Sequence, residues 1–164
     1  MIIGLDPGSK GGLAILAGDG QFVYAMGLEK LTESEVVSVL TEHLTAWKMT
    51  PAFTVRALLE KVGATPKSGS SASFKFGTSY GFLRGVLHGL EIPFEDVQPK
   101  AWRKGVGLLS VKGGFEDAGR HDSYKARKQA SRAKAQQLFP HVKVTNAIAD
   151  ALLIAEHGVR RQVG

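Results

Sequence analysis

The amino-acid sequence predicts an α/β protein built on one mixed five-stranded sheet that is flanked by helices. Short apolar runs joined by a turn signal open the chain, which predicts an antiparallel meander of three strands. Strand-like and helix-like segments then alternate, a pattern typical of parallel strands joined by helical crossovers. Because 164 residues is an ordinary length for one domain, we expect a single domain over residues 1–164.

The strands follow from apolar and β-branched runs between turn residues. They are predicted over residues 1–6, 11–16, 21–26, 53–59 and 92–97. Thr32 and Glu35 form a capping-box pattern, which predicts that a helix begins there and ends before Pro51.

Four more helices are predicted, over residues 73–90, 99–103, 123–139 and 146–157. The first carries a glycine at every fourth position, on one face: Gly77, Gly81, Gly85 and Gly89. Each glycine costs about 1 kcal/mol relative to alanine, so we expect that face to approach another helix or a second subunit closely. Asn146 is predicted to cap the last helix and Gly158 to end it. Residues 108–122 are glycine-rich and predict a loop.

The net charge of the chain is +6 at pH 7. Residues 98–134 hold ten Lys or Arg and three Asp or Glu, a net charge of +7. Such a segment predicts a polyanionic partner, although a solvated basic face has the same composition. The absence of cysteine excludes disulfides, thiolate zinc sites and cysteine nucleophiles, and suits a reducing compartment, so we expect a cytoplasmic protein.

No apolar stretch approaches the roughly 18 residues of a membrane span, and no membrane association is expected. The N-terminal apolar run has no basic region before it, which predicts a strand rather than a signal peptide. None of the five histidines has the spacing of zinc ligands.

Three carboxylates carry the functional prediction. Asp6 ends the first predicted strand and Glu60 comes directly after the fourth, and the ends of strands form the edge of a sheet where ligands bind in open α/β folds. Asp150 lies in a strongly apolar helix, where an unpaired carboxylate is costly. Each has an ordinary alternative: a turn for Asp6, a surface pair with Lys61 for Glu60, and a lone structural acid for Asp150.

Clustered carboxylates repel one another and raise one another's pKa, and Mg²⁺ or Mn²⁺ removes that penalty. Two such ions, about 3.5–4 Å apart, can activate a water and stabilise the leaving oxygen of a phosphodiester. We therefore expect two ions per site, bound by Asp6, Glu60 and Asp150. Asn146 lies one helical turn before Asp150, and its amide oxygen is a further candidate ligand.

Four motifs, in order along nearly the whole chain, resemble the RuvC Holliday-junction resolvases and most of all their phage-encoded relatives. The motifs are residues 5–9 (LDPGS), 59–62 (LEKV), 74–81 (FKFGTSYG) and 149–155 (ADALLIA). The resemblance implies an RNase H-like fold, a homodimer, and Mg²⁺-dependent nicking of two opposed strands at a four-way DNA junction. Asp6, Glu60 and Asp150 match three places of the family's acidic tetrad.

The sequence departs from the family pattern at two places. The family's fourth acidic residue is usually Asp or His, three or four residues before the last Asp. The candidates here are Ala147 and Asn146, so Asn146 is expected to take this role as a neutral and weaker ligand. Gly63 stands where bacterial members carry an aromatic wedge, and Phe74 and Phe76 are candidates for that role, with helix packing as the alternative.

The resemblance also implies which residues contact DNA and the second subunit. Lys128 matches a basic residue near the scissile phosphate, and is expected to take part in catalysis. DNA contacts are expected from Lys61, Lys75, Lys100, Trp102, Arg103, Lys104, Lys125, Arg127, Lys128 and Arg132. Dimer contacts are expected from Phe74, Gly77, Tyr80, Gly81, Arg84, Gly85 and His88.

Three other functions remain open at this point. A junction-binding protein impaired in cleavage follows from the neutral Asn146. A ribonuclease H-type enzyme acting on RNA–DNA hybrids uses the same fold and acids. An ATPase of the actin-like superfamily has a similar first phosphate loop, but needs two lobes and a longer chain.

Overall fold

The computed structural model describes residues 1–49, 54–61, 63, 69–108 and 120–163. The strands are β1 (Ile2–Asp6), β2 (Gly12–Leu16), β3 (Phe22–Gly27), β4 (Arg56–Glu60) and β5 (Phe94–Val97). The helices are α1 (Glu33–Lys48), α2 (Ser70–Gly89), α3 (Pro99–Gly105), α4 (Arg120–Leu138) and α5 (Asn146–Val163), with a 3₁₀ turn at Leu28–Lys30. Within these ranges no helix is long and apolar enough to cross a membrane.

The five strands form one sheet in the order β3-β2-β1-β4-β5. The pairs β1–β2 and β2–β3 are antiparallel, whereas β1–β4 and β4–β5 are parallel. The predicted mixed sheet, with its meander and its helical crossovers, is therefore confirmed. The order places β1 at the centre, beside the other strand that ends in an acid.

Side chains alternate between the two faces of the sheet, and each face has its own core. Ile3, Leu5 and Ile15 face α1 and α2. Ile2 and Leu16 face the opposite layer, which contains α3, α4 and α5. The helices α2 and α4 therefore cover opposite faces of the sheet.

Helix α5 packs directly on the backbone of β1, and Gly4 makes this possible. A Cβ atom at Gly4 would lie 2.2 Å from the Ala151 carbonyl oxygen and 2.5 Å from the Ala155 nitrogen. The glycine in the first apolar run is thus required by packing, because any side chain would push the helix away from the strand.

The last helix differs from the prediction at both ends. It continues past Gly158 to Val163. Gly158 serves close packing rather than helix termination, because a Cβ at this position would lie 2.6 Å from Leu58 Cδ1. Asn146 is the first helical residue, and the Thr145 carbonyl accepts a hydrogen bond from the Ala149 N–H (3.1 Å), so the capping position falls one residue earlier.

Other boundaries shift by a few residues. The capping box of α1 is confirmed, since Thr32 and Glu35 bond reciprocally. Helix α4 begins at Arg120, three residues before its predicted start, and takes the last part of the predicted loop; residues 109–119 of that loop lie outside the described residues. Strand β4 begins at Arg56, later than predicted, and residues 50–53 are also outside the described part.

Candidate active site

Three carboxylates converge at one edge of the sheet. Asp6 ends β1 and Glu60 ends β4, and because these strands are parallel neighbours their acidic ends lie side by side. Helix α5, held against β1 at Gly4, brings Asp150 to the same place. All three line one cleft of about 320 Å³. Asp6 and Asp150 are almost fully buried, with exposures of 6% and 2%.

This crowding shifts the pKa of two of the acids. Burial raises the pKa of Asp6 well above its ordinary value, and the negative charges of Glu60 and Asp150 raise it further against the opposing effect of Lys128. Burial also raises the pKa of Glu60, against opposing hydrogen bonds.

Lys128 of α4 supplies the positive charge closest to the acids. Its Nζ donates to Asp150 Oδ2 at 2.6 Å and lies 3.6 Å from Asp6 Oδ2. Burial alone would lower the pKa of Lys128, but the two carboxylates outweigh it and raise the pKa. Asp150 Oδ1 is buried and has no hydrogen-bond partner.

Trp102 holds the Glu60 side chain in place through a hydrogen bond. Its indole Nε1 donates to Glu60 Oε1 at 2.8 Å, and the side chain is completely buried. This corrects the predicted DNA contact for Trp102, because a ring with no exposed surface cannot reach DNA. The Arg103 guanidinium lies over the same ring, 4.9 Å from its centroid, and its charge opposes the rise in the pKa of Glu60.

The loop after Asp6 is fixed to α2. Gly8 has a φ of 123°, a conformation that favours glycine, and its N–H donates to Ser79 Oγ at 2.9 Å. A Cβ at Gly8 would lie 2.9 Å from Phe76 Cε1, so the Phe76 ring rests on the loop. The motif around residues 5–9 thus forms one wall of the cleft.

Basic residues line the cleft around the acids. They are Lys10, Arg103, Arg127 and Lys128. Other predicted DNA contacts are exposed but lie outside the lining of this cleft: Lys61, Lys75, Lys100, Lys104 and Lys125. Arg132 Nε donates to the Val144 carbonyl at 3.1 Å, which ties this side chain to the segment before α5.

Sequence reasoning missed two lining residues. Lys10 lies in the loop that follows Asp6, and its closeness in sequence to Asp6 could have indicated that it lines the cleft. Tyr124 lies one helical turn before Lys128, on the same face of α4. Asn146, by contrast, was predicted as a ligand, but it is exposed in the first turn of α5 and does not line the cleft.

The predicted dimer face of α2 is open in this single chain. A Cβ at Gly77, Gly81 or Gly85 would meet nothing within 4 Å. Phe74 is 76% exposed, and His88 is exposed with its ring edge-on to Phe94 at 5.1 Å.

Tyr80 and Arg84 have partners within the chain. Both bind Asp96, through Tyr80 Oη to Oδ1 at 2.7 Å and Arg84 Nη1 to Oδ2 at 2.8 Å. These bonds anchor α2 to β5 and leave the glycine face uncovered.

The donor set fits a hard divalent cation. Three carboxylates, two with raised pKa, and one unpartnered buried oxygen on Asp150 favour an added positive charge. Among the described residues, however, no group of three or more acidic, His or Cys side chains is already arranged to hold a metal. The Lys128 ammonium lies within 4 Å of both Asp6 Oδ2 and Asp150 Oδ2, at 3.6 Å and 2.6 Å.

The fold and the carboxylate cleft define an α/β protein with an acidic site at the end of its central strands. Among the solved structures that resemble it is T. thermophilus RuvC in complex with a Holliday junction substrate, with a TM-score of 0.62, 14% identity, and coverage of 99% of this chain and 96% of that one. A second Thermus thermophilus RuvC structure has a TM-score of 0.57 and 15% identity, with the same coverage. At these identities the likeness establishes the fold.

The predicted RNase H-like fold is therefore confirmed, in the form found in RuvC. No protein-family model matches the chain. No curated protein matches it either. The resemblance to phage-encoded relatives stays a prediction from the sequence motifs.

Proposed function

We propose that this protein is a metal-dependent endodeoxyribonuclease that cuts branched DNA, with the four-way junction as its substrate. The observation that carries the proposal is the convergence of Asp6, Glu60 and Asp150 in one cleft that basic side chains also line. A carboxylate cluster binds cations and a basic rim binds phosphates, so the two together fit a phosphodiester.

Asp6, Glu60 and Asp150 would hold two Mg²⁺ ions, or Mn²⁺ in their place. When bound, these ions supply an activated water and stabilise the leaving oxygen. Lys128 and Arg103 orient the phosphate, while Trp102 holds Glu60 in place through its indole hydrogen bond.

The substrate class rests on the fold and on the open face of α2. A solved RuvC with this fold is in complex with a Holliday junction substrate. The uncovered glycines of α2 fit a second copy of the chain. A symmetric dimer would carry two such clefts, as cutting two opposed strands requires.

The direct test is cleavage of a synthetic four-way junction beside a linear duplex of the same sequence, with and without Mg²⁺. We expect paired nicks in opposed strands of the junction, dependence on Mg²⁺ or Mn²⁺, and little cutting of the duplex. Asp6→Asn, Glu60→Gln and Asp150→Asn should each abolish nicking and retain junction binding. Glu42→Gln, on the exposed side of α1, is the control and should cut like the parent.

Any of the three acid variants cutting at the parent rate would overturn the proposed site. An RNA–DNA hybrid belongs in the same assay, because a monomer that cuts the hybrid and ignores the junction would be a ribonuclease H-type enzyme.

A junction-binding protein impaired in cleavage is the second candidate. It is favoured by the lack of a fourth acid from position 146, because Asn146 is neutral, exposed and outside the lining of the cleft. Tight junction binding with no nicks in either Mg²⁺ or Mn²⁺ would establish this candidate in place of the nuclease.

A further inference from the structure

His157 is a buried titratable side chain that the proposed chemistry does not use. It lies on α5 two turns after Asp150, on the same face of that helix, and is only 8% exposed. Its Nδ1 is buried and has no hydrogen-bond partner. A buried polar atom without a partner carries a free-energy cost that packing alone does not explain.

The His157 ring packs against the backbone of Gly105, the last residue of α3. A Cβ atom at Gly105 would lie 2.0 Å from His157 Nδ1 and 2.6 Å from Cε1, so only glycine lets the helix end approach the ring this closely. Arg160 Nη1 donates to the Gly105 carbonyl oxygen at 3.3 Å and binds the same end of α3 to α5. The end of α3 is therefore held on α5 through this backbone position.

Helix α3 links this contact to the acidic cleft. Trp102 lies three residues before Gly105, about one helical turn, and its indole donates to Glu60 at 2.8 Å. Trp102 has no exposed surface and belongs to the hydrophobic core that α5 also forms. A movement of the end of α3 would therefore move the indole, and with it the hydrogen bond that holds Glu60.

The groups around His157 favour its neutral form. Burial lowers the pKa of His157 from its ordinary value of 6.5. The positive charges of Arg161 and Arg160 lower this pKa further, against the opposing charge of Glu95. Glu95 of β5 is already paired with Arg56 of β4 and with Arg161, and α3 carries three basic residues and no acid. A proton at Nδ1 would thus add positive charge among cations and would find no acceptor.

We propose that neutral His157 is a positioning residue for the acidic cleft: it holds α3 against α5 so that Trp102 can hold Glu60, and a proton on its ring displaces α3. The inference rests on the proposed nuclease function and adds a dependence of the same site on pH. Since the packed ring excludes a proton that the displaced ring accepts, the packed arrangement loses stability as the pH falls below about 6.5. The cleft is then complete at neutral pH and loses the support for Glu60 in mild acid.

The test uses one variant that cannot be protonated and one that imposes the displacement. His157→Asn keeps a neutral oxygen near the position of Nδ1 and does not titrate. Gly105→Ala adds a methyl group where Nδ1 lies. His141→Asn, at an exposed histidine, and Gly18→Ala, where a Cβ meets nothing within 4 Å, are the matched controls. Thermal denaturation of each variant verifies that the fold is retained.

The first readout is the fluorescence of Trp102 without metal or DNA, between about pH 5 and about pH 8. The chain holds two tryptophans, so Trp47→Phe leaves Trp102 as the single emitter. Glu60→Gln is added because its amide oxygen can still accept the indole hydrogen bond but does not titrate. In this background we expect the emission to shift to longer wavelength below about pH 6.5. His157→Asn should lose this shift, and Gly105→Ala should show it at every pH.

The second readout is single-turnover nicking of a four-way junction with Mg²⁺ at about pH 6 and about pH 8, with Glu60 and Trp47 intact. The drop in rate between the two pH values should be about threefold smaller in His157→Asn than in the parent. Gly105→Ala should need about tenfold more Mg²⁺ for half-maximal nicking at both pH values, because Glu60 has lost its support. Both control variants should match the parent in both readouts.

A parent without the Trp102 shift, or a shift that persists in His157→Asn, would overturn the inference, because another group then responds to pH. An equal loss of stability and nicking at every pH in His157→Asn would also overturn it, since a residue that only fills space does not change a pH profile. So would parent-like Trp102 emission in Gly105→Ala. A parent that nicks no substrate contradicts the proposed nuclease function alone, because the fluorescence needs neither metal nor DNA.

Discussion

Lys128 Nζ lies 2.6 Å from Asp150 Oδ2 and 3.6 Å from Asp6 Oδ2. One ammonium thus interacts with two buried carboxylates that are proposed to bind metal. A cation that binds these acids would have to compete with Lys128 for their oxygens. The stability of the metal-free protein and its response to metal are therefore linked through this residue.

Lys128→Met should destabilise the metal-free protein by about 1–3 kcal/mol, because Asp150 is left buried without its partner. Added Mn²⁺ or Mg²⁺ should then raise the melting temperature of the variant more than that of the parent. Thermal denaturation in chelator and in increasing metal measures both effects. Lys125→Met, exposed on the same helix, is the matched control and should change neither. A Lys128→Met variant with parent-like stability and metal response would contradict this coupling.

Asp6 should make the stability of the metal-free protein depend on pH. In the unfolded chain the carboxyl titrates near 3.8, whereas burial raises its pKa well above that value in the folded state. The folded protein therefore binds a proton that the unfolded chain releases, and stability falls as the pH rises from the unfolded to the folded pKa. Asp6→Asn removes this loss and should be more stable at about pH 7 by about 0.5–2 kcal/mol.

Denaturant titrations of the parent and of Asp6→Asn in chelator, between about pH 4 and pH 7, measure the difference. The two free energies of unfolding should diverge as the pH rises. Parallel pH profiles would show that ionising Asp6 costs nothing in the folded state. Glu42→Gln is the control, and its profile should follow that of the parent.

Asn146 does not line the cleft, and Asn146→Asp tests whether a carboxylate at this position can still reach the bound metal and increase cleavage. The residue is one turn before Asp150, so the two side chains share a face of α5, and a carboxylate binds Mg²⁺ better than an amide does. We expect half-maximal nicking at a Mg²⁺ concentration lower by about tenfold. Gln162→Glu, at the other end of the same helix, controls for added charge. An unchanged Mg²⁺ requirement would assign the fourth ligand to another residue.

Gly158→Ala should destabilise the fold by about 1–3 kcal/mol, because its Cβ would lie 2.6 Å from Leu58 Cδ1 and 2.8 Å from Ile2 Cγ2. Gly89→Ala is the matched control, since a Cβ there meets nothing within 4 Å; its stability should be unchanged or increased. Chemical denaturation of both variants measures the difference. Equal stabilities would mean that α5 can shift away from the sheet at no cost.

Gly85→Leu should separate the proposed dimer without unfolding the chain. A side chain at this position is unopposed in the single chain, so only a partner helix would clash with it. Sedimentation should show a dimeric parent, a monomeric Gly85→Leu variant, and a dimeric Thr45→Leu control on α1. A dimer that persists in Gly85→Leu would move the interface away from this face.

The positions of Asp6 and Glu60 could be predicted because each follows an apolar strand, and parallel strands end at one edge. The surroundings of these acids could not be predicted in the same way. The family resemblance implied a DNA contact for Trp102, but its ring is buried and bonded to Glu60. Tyr124 has no local pattern that sets it apart, because its place in the cleft depends on how α4 packs against the sheet.

The structural roles of the glycines could not be predicted either, because they also depend on residues distant in sequence. Gly158 has the sequence character of a helix terminator, yet it lies inside α5, where a side chain would strike the sheet. Whether a glycine serves a turn or a close approach depends on a partner distant in sequence. The local conformational preference of glycine does not indicate which distant residue it will contact.

The packing of α5 on Gly4 has a consequence for the protein as it is being made. Asp6 and Glu60 leave the ribosome well before Asp150, and the third acid reaches them only when α5 has been synthesised and has docked on β1. A nascent or half-folded chain therefore holds no complete acid cluster, and the proposed metal site would form only when the last layer closes.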